Sequence, residues 1–450
     1  MRNSSTSTPS TSRACRRTSS PARESSNCSP IWKTSSPEWL RSPEPPQNSP
    51  RKQTSPRRNT KLTAFSPNFP PTPESATTPS KSPAHGMPLK AGFTPLPSNP
   101  AELTEAARAC RLRFSFNEDK MTDHEDKMTE LLRRYPVKLN SYCKALAEQS
   151  PAVAKLYLPD LRELDNPGLS SDGLAELEQS PVPNLIRRYR DRAVLLTTSE
   201  CFARCRFCLR KRLWADGASH FTLSDENLDA VCAWLDRNPE VDDILLSGGD
   251  PLVMNDDRVV KIASRIRSSG NVQTVRVCSR APAVEPARIT EKLTARLSVI
   301  DGLWFVTHFD HPDELTPEAE TALKRLVSHG IPVLDQTVLL KGVNDDAETL
   351  RRLFKRLAAL RVKPHYLFHI DPIEGVSHFA TGVERGLEIL EDFRYTLSSL
   401  ALPMFAIDLP EGAGKVVLTP DCRDADGRYR SSVTGKYIRH PLADLTDTGE

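Results

Sequence analysis

No run of this chain approaches the roughly 18 consecutive apolar residues of a membrane span, and its first residues lack the apolar core of a secretory signal. Glycine is scarce, 19 of 450 residues, and shows no collagen-like period. Ten cysteines are too sparse for a disulfide scaffold, and three of them fall within eight positions. That distribution favours a reducing compartment and a metal or cluster, so the expected location is cytoplasmic, with no membrane partner. A dominant charge is missing too, the formal net being +3.

That near-neutral total conceals a division. Residues 1–100 hold 20 serines, 19 of the 38 prolines, and 14 Lys/Arg against 4 Asp/Glu, a surplus of +10. The other 350 residues carry −7. A segment so poor in apolar residues cannot offset its ordering entropy by burial. Residues 1–120 are therefore expected to be a disordered Ser/Pro/Arg-rich tail. Its repeated Ser-Pro pairs suit a phosphorylatable tail, a targeting segment, or a start codon placed too early, with translation beginning at Met87, Met121 or Met128. No aromatic interleaving or basic helix face supports a nucleic-acid partner.

From about residue 120 helix formers take over. Asp123–Arg134, Val137–Glu148 and Pro151–Tyr157 are expected helices within a helical region spanning 121–186. Strands then alternate with helices: Ala193–Thr198, Asp243–Leu246, Thr274–Cys278, Leu303–Thr307, Pro332–Leu340, His365–Ile370 and Met404–Asp408 are the strand-like runs. The helices between them are Asp225–Arg237, Asp257–Ser268, Ala287–Leu297, Pro317–Ser328, Ala347–Leu360 and Val383–Leu400. This rhythm indicates right-handed βαβ units and an α/β fold with a parallel sheet. Polar residues close the strands: Cys201, Asp250, Arg280, His308, Asp371 and Asp408. In parallel α/β barrels chemistry gathers at that end.

Cys201-Phe-Ala-Arg-Cys205-Arg-Phe-Cys208 is a C-x3-C-x2-C loop after a strand. Three thiolates can each take one iron of a [4Fe–4S] cube and leave the fourth open to a small molecule. A structural zinc site would need a fourth ligand, and none is nearby. Phe202 and Phe207 are placed to shield such a cluster, and Arg204, Arg206, Arg210, Lys211 and Arg212 to offset its charge. Ser247-Gly248-Gly249-Asp250 ends the next strand, where glycines without Cβ let backbone approach a ligand, although a Gly-Gly pair alone is equally a turn. Lys415 follows Gly412-Ala-Gly414, on backbone that can approach a flat cofactor. Amines serve as Schiff-base nucleophiles, but a surface lysine in a glycine loop reads the same way.

These motifs resemble the radical S-adenosylmethionine enzymes, and the stretch from Arg188 to Lys415 resembles the lysine 2,3-aminomutase family. The resemblance rests on Arg188–Arg192, Cys201–Arg212, Leu246–Leu252, Ser279-Arg280, Thr307–Pro312, Gln336–Asp345, Gly375-x-x-His378-Phe379 and Asp408-x-Pro410-x-Gly412-x-Gly414-Lys415. It implies a partial (β/α)6-type TIM-like barrel at 187–400, with the pyridoxal-phosphate lysine and a lid in 401–450. It also implies three cofactors: a [4Fe–4S] cluster on Cys201, Cys205 and Cys208, S-adenosyl-L-methionine, and pyridoxal 5′-phosphate on the catalytic Lys415. Ser247, Gly248, Gly249 and Asp250 match the motif near S-adenosylmethionine. Arg188, Tyr189 and Arg192 match positions around the pyridoxal phosphate group, and His308 and Gln336 match positions near both organic cofactors. Arg210 matches the arginine that takes the substrate α-carboxylate, and Asp371 and Asp408 match the aspartates that take the ε-ammonium of lysine. The implied reaction moves the 2-amino group of L-lysine to C3, giving β-lysine by way of a 5′-deoxyadenosyl radical. The alternatives are a paralog making β-lysine to modify elongation factor P, or another amino acid such as glutamate as substrate. The implied partners are a small amino acid and an electron donor such as flavodoxin or ferredoxin, with homo-oligomerisation open.

The chain departs from the family in places. Asp346 stands where the well-studied enzyme has a zinc cysteine, and only Cys422 follows Lys415, so no zinc is expected. His365 and Phe368 stand where the lysine enzymes have tyrosines. The tail after Val416 is expected to form a hairpin lid.

Overall fold

The computed structural model describes residues 121–440, so the expected tail 1–120 lies outside the described residues. Helices α1 (Met121–Arg134), α2 (Ser141–Gln149) and α3 (Pro151–Tyr157) come first. α2 starts four residues later than its composition suggests. Asn140, not Pro136, marks its beginning, because the Asn140 side chain accepts the Cys143 N–H and caps the helix.

One nine-stranded sheet follows in the sequential order β1 to β9. β2 (Arg192–Thr198), β3 (Asp243–Gly248), β4 (Thr274–Cys278), β5 (Leu303–Thr307), β6 (Val333–Leu339), β7 (Val362–His369) and β8 (Met404–Leu409) all run parallel. β1 (Leu185–Ile186) and β9 (Gly414–Leu418) close the two edges antiparallel. The crossovers are α4 (Asp225–Asp236), α5 (Asp256–Arg267), the short α6 (Ala281–Val284) with α7 (Glu291–Ser298), α8 (Pro317–Ser328), α9 (Ala347–Ala359) and α10 (Val383–Thr396). The architecture is the six-unit βα barrel with an added seventh parallel strand. Among the described residues no helix is long and apolar enough to cross a membrane.

Most of the crossover helices begin on a capping side chain, whereas α6 and α10 have none. Ser224, Asn255, Thr290, Thr316 and Asp346 accept backbone N–H groups at their helix starts. Asp346 therefore has a capping duty of its own. The sheet's outer face packs under the helices through Ile244, Leu246, Val275, Val277, Val333 and Leu367. Its inner face is different. Parallel strands are ordinarily buried on both faces, yet β3 and β4 alternate buried with half-buried residues. The half-buried set, which includes Asp243, Ser247, Arg276 and Cys278, lines the concave side.

The sheet curls until its ends meet. Arg188, just before β2, reaches Asp408 on β8 at 3.5 Å, and the Tyr189 hydroxyl accepts the Lys415 N–H at 2.8 Å. The tail forms a hairpin, β10 (Tyr429–Arg430) with β11 (Tyr437–Ile438). It lies along the C-terminal half of α10, through Arg430 on Glu391 and Arg394 on the Pro420 carbonyl. Crossover helices run against the strands, so that end of α10 is remote from the strand ends that carry the chemistry.

Candidate active site

The ends of β2, β3, β5 and β7 and the β8–β9 hairpin carry the three cysteines, Arg210, Ser247 to Asp250, His308, Asp371, Asp408 and Lys415, whereas Arg188, Tyr189 and Arg192 lie at the start of β2 and Gln336 lies within β6. The cysteine loop follows β2. Burial first, then the neighbouring Cys208, Asp250 and Cys205, holds the Cys201 thiol well above its ordinary range. Burial likewise pushes Cys205 up to about 12 against the pull of Arg280, with Cys208 adding to the rise. The three thiols thus share one field. Among the described residues no three acidic, His or Cys side chains converge to hold a single metal ion. A C-x3-C-x2-C loop lets each sulfur take a different iron of a polynuclear cluster.

The charge partners differ from those expected of the sequence. Arg206 and Lys211 both turn to the fully buried Glu163, at 2.7 Å each. Arg210 and Arg212 close on Glu176 at 2.7 and 2.8 Å. Arg204 lies over the Trp214 ring at 5.2 Å. Among the described residues the cation that hydrogen-bonds a cysteine sulfur of this loop is Arg280, at the end of β4, with Nη1 2.6 Å from Cys205 Sγ. Its other amino group is held by Asp310 at 2.9 Å and Glu314 at 2.7 Å, both buried. The arginine-rich loop is arranged by carboxylates from distant elements, since burying five cations without counter-charges would be prohibitive. Phe207 is buried against His308 and Phe379, at centroid distances of 5.6 and 6.2 Å.

The glycines of Ser247-Gly248-Gly249-Asp250 meet the chain itself. A Cβ on Gly249 would lie 2.2 Å from the Glu200 carbonyl oxygen, and one on Gly248, at φ +114°, 2.4 Å from that of Thr198. Their absence lets Gly249 N–H and Asp250 N–H donate to the Thr198 and Glu200 carbonyls at 2.6 and 2.7 Å. The turn thus ties β3 to the entrance of the cysteine loop. Asp250 is buried and accepts from Ser279 Oγ, Arg280 N and Leu252 N at 2.8 to 2.9 Å. Its carboxylate is committed within the chain. His308 bonds Asp310 at 3.0 Å through Nε2. Gln336 sits half-buried on β6, in register with Tyr366 on β7.

The hairpin of β8 and β9 pairs Asp408 directly with Lys415. Lys415 Nζ donates to Asp408 Oδ2 at 2.7 Å and lies 3.8 Å above the Phe368 ring. Burial lowers the Lys415 pKa, and Asp408 works against it. Tyr366 and Phe368 on β7, 5.0 Å apart, make an aromatic wall beside this amine. Arg192 stacks on the Tyr189 ring at 3.9 Å. Asp371, two residues past β7, has its pKa raised to about 7, by burial first and then by Asp408.

The residues fit the implied groups. Lys415, with its lowered pKa, lies on an aromatic wall beside Arg188 and Tyr189, with Arg192 stacked on Tyr189, and the two guanidinium forks suit a phosphate. His365, at a register shift in β7, keeps a buried Nδ1 with no hydrogen-bond partner close to this amine. A buried orphan nitrogen calls for a ligand or water. Glu163, Glu176, Asp310 and Glu314 were not visible as site residues in the sequence, because lone acids in turns carry no pattern.

The comparisons with known proteins agree with this geometry. The sequence matches the Radical SAM superfamily over residues 195–354. It is 40% identical over 272 residues to the putative L-lysine 2,3-aminomutase of Aquifex aeolicus, which covers 60% of this chain and 73% of that protein. The L-lysine 2,3-aminomutase of Clostridium subterminale is 35% identical over 303 residues, 66% of this chain and 72% of the relative. The glutamate 2,3-aminomutase of Clostridioides difficile is 35% identical over 270 residues, 60% of this chain and 63% of the relative. The chain belongs to the lysine 2,3-aminomutase family of radical S-adenosylmethionine enzymes and is an aminomutase.

Proposed function

We propose that this aminomutase acts on free L-lysine and gives β-lysine, with pyridoxal phosphate held by Lys415. The observation that carries the reading is the pair Asp371 and Asp408. Two carboxylates in one partly closed space repel each other unless a cation lies between them. The Asp371 carboxyl is pushed up to about 7 even with Lys415 nearby, so the pair has room for another positive charge. The ε-ammonium of lysine supplies one. A glutamate side chain would add a third carboxylate.

Cys201, Cys205 and Cys208 would hold the cluster. Arg188, Tyr189 and Arg192 would hold the phosphate of the pyridine cofactor, and Ser247 to Asp250, His308 and Gln336 would border the S-adenosylmethionine site. When bound, these groups supply a primary carbon radical for hydrogen abstraction and an electrophilic ring aldehyde for the migrating nitrogen. The chain's own share is positioning. Arg210 takes the α-carboxylate and the aspartate pair takes the ε-ammonium, so the lysine is held at both ends with its reacting carbons between. Phe207, Phe368 and Tyr366 keep water from the space where a radical would be quenched.

The test is an anaerobic assay of the reconstituted protein with lysine, glutamate and arginine, S-adenosylmethionine and a reductant. Formation of β-lysine, together with loss of the pyridoxal absorbance in Lys415→Ala, is the expected result. Conversion of glutamate but not lysine would overturn the role of the aspartate pair.

A further inference from the structure

Residues 172–179 cross the barrel mouth as a turn-rich strap. The Gly173 backbone passes so close to Pro372, in the loop after β7, that a Cβ would lie 2.1 Å from its carbonyl oxygen. The Gly173 carbonyl accepts the Glu411 N–H of the β8–β9 hairpin at 3.2 Å. The Leu174 carbonyl accepts Arg188 Nη2 at 3.2 Å. Asp172 accepts the N–H groups of Glu176 and Leu177 at 3.1 and 2.9 Å and fixes the turn. Within that turn Ala175 has φ +51°, the left-handed region that a non-glycine residue adopts at a cost. The strained residue directly precedes Glu176.

Glu176 is 4% exposed and points down into the site. Its Oε1 takes Arg210 Nη2 at 2.7 Å, and its Oε2 takes Arg210 Nε at 2.9 Å and Arg212 Nη2 at 2.8 Å. This occupies one edge of the Arg210 guanidinium. Among the described residues Nη1 meets only Ser247 Oγ, at 3.4 Å, which leaves the Nη1–Nη2 edge available on the side of the Ser-Gly-Gly-Asp turn. Both Arg210 and Glu176 act on the Asp371 carboxyl, so all three share one space.

We propose that Glu176 is the positioning residue that orients Arg210 for the substrate α-carboxylate, and that the strap 172–179 carries it there. The inference rests on the aminomutase reading above. An arginine held along one edge presents the other in a fixed plane, and a carboxylate reads that plane as a bidentate partner. Without Glu176 the guanidinium swings toward other acceptors, and the amino acid loses its α-carboxylate anchor while its ammonium anchor remains.

The test compares L-lysine with 1,5-diaminopentane, which keeps the amines and lacks the carboxylate, on the reconstituted holoenzyme. In Glu176→Gln the KM for lysine should rise about tenfold or more, the worth of a charge-assisted contact. The turnover number, cluster iron and pyridoxal absorbance should stay near wild type, and inhibition by the diamine should be unchanged. Glu176→Asp, which keeps the charge, should recover part of the lost lysine affinity, and it carries the same comparison if the glutamine variant does not fold. Equal weakening of lysine and diamine, or an unchanged KM while the wild type converts lysine, would overturn the positioning role alone. A wild type that converts no lysine would overturn the aminomutase reading and this inference with it.

Discussion

Asp371 offers the sharpest test of how this site reads its substrate. Its carboxyl is raised from an ordinary 3.8 to about 7, first by burial and then by Asp408, while Lys415 and Arg210 pull the other way. A shift of about three pH units corresponds to about 4 kcal/mol held against the ionised form in the empty site. A lysine ammonium beside Asp371 favours the carboxylate, so binding requires the proton to leave. The cost of removing it is negligible well above pH 7 and grows as pH falls through about 7. Lysine affinity should therefore weaken about tenfold between pH 8 and pH 6, and binding should release a proton to the buffer in that range. The sign also fixes the stability effect. A carboxyl whose folded pKa is raised gives a contribution fully present below its unfolded value of about 4, lost as pH rises through about 7. Titration calorimetry of the holoenzyme in buffers of different ionisation enthalpy measures both affinity and proton release. Asp371→Asn removes the titrating group and should bind lysine with a flatter profile and no such release. A flat profile in the wild type, or the same slope in the asparagine variant, would refute the reasoning.

Two further expectations concern the architecture under the site. Glu163→Gln leaves Arg206 and Lys211 buried without their counter-charge, and breaking a buried pair in this way costs about 3–5 kcal/mol. Thermal unfolding followed by circular dichroism should show a clear fall in midpoint, and a variant melting with the wild type would contradict the assignment. Gly249→Ala would drive a Cβ to 2.2 Å from the Glu200 carbonyl at the entrance to the cysteine loop. Iron content after anaerobic reconstitution should drop, whereas Gly382→Ala, with nothing within 4 Å, should load normally.

Much of this protein is legible in its sequence for a local reason. Strand and helix periodicity depends on neighbouring residues, so the seven parallel strands and their crossovers lie where the apolar runs place them. Caps such as Ser224 and Thr316 mark helix starts by the same short-range chemistry. The three cysteines are close in sequence, so their spacing carries the cluster loop without any fold. What the sequence left open was decided by contacts between distant residues. The basic residues around the cysteines look like a charged cloud for the cluster. Glu163 and Glu176, 30 to 50 residues earlier, claim four of them. Among the described residues the cation that hydrogen-bonds a thiol of this loop is Arg280, from two strands away. The Gly-Gly pair looks made for a ligand, but packing presses it against the Thr198 and Glu200 backbone. Asp408 and Lys415 become partners only because an antiparallel hairpin sets them opposite each other. Composition and spacing determined which elements form and which groups are present. The curling of the sheet decided which charges meet, because electrostatic partnership depends on distance in space and not along the chain.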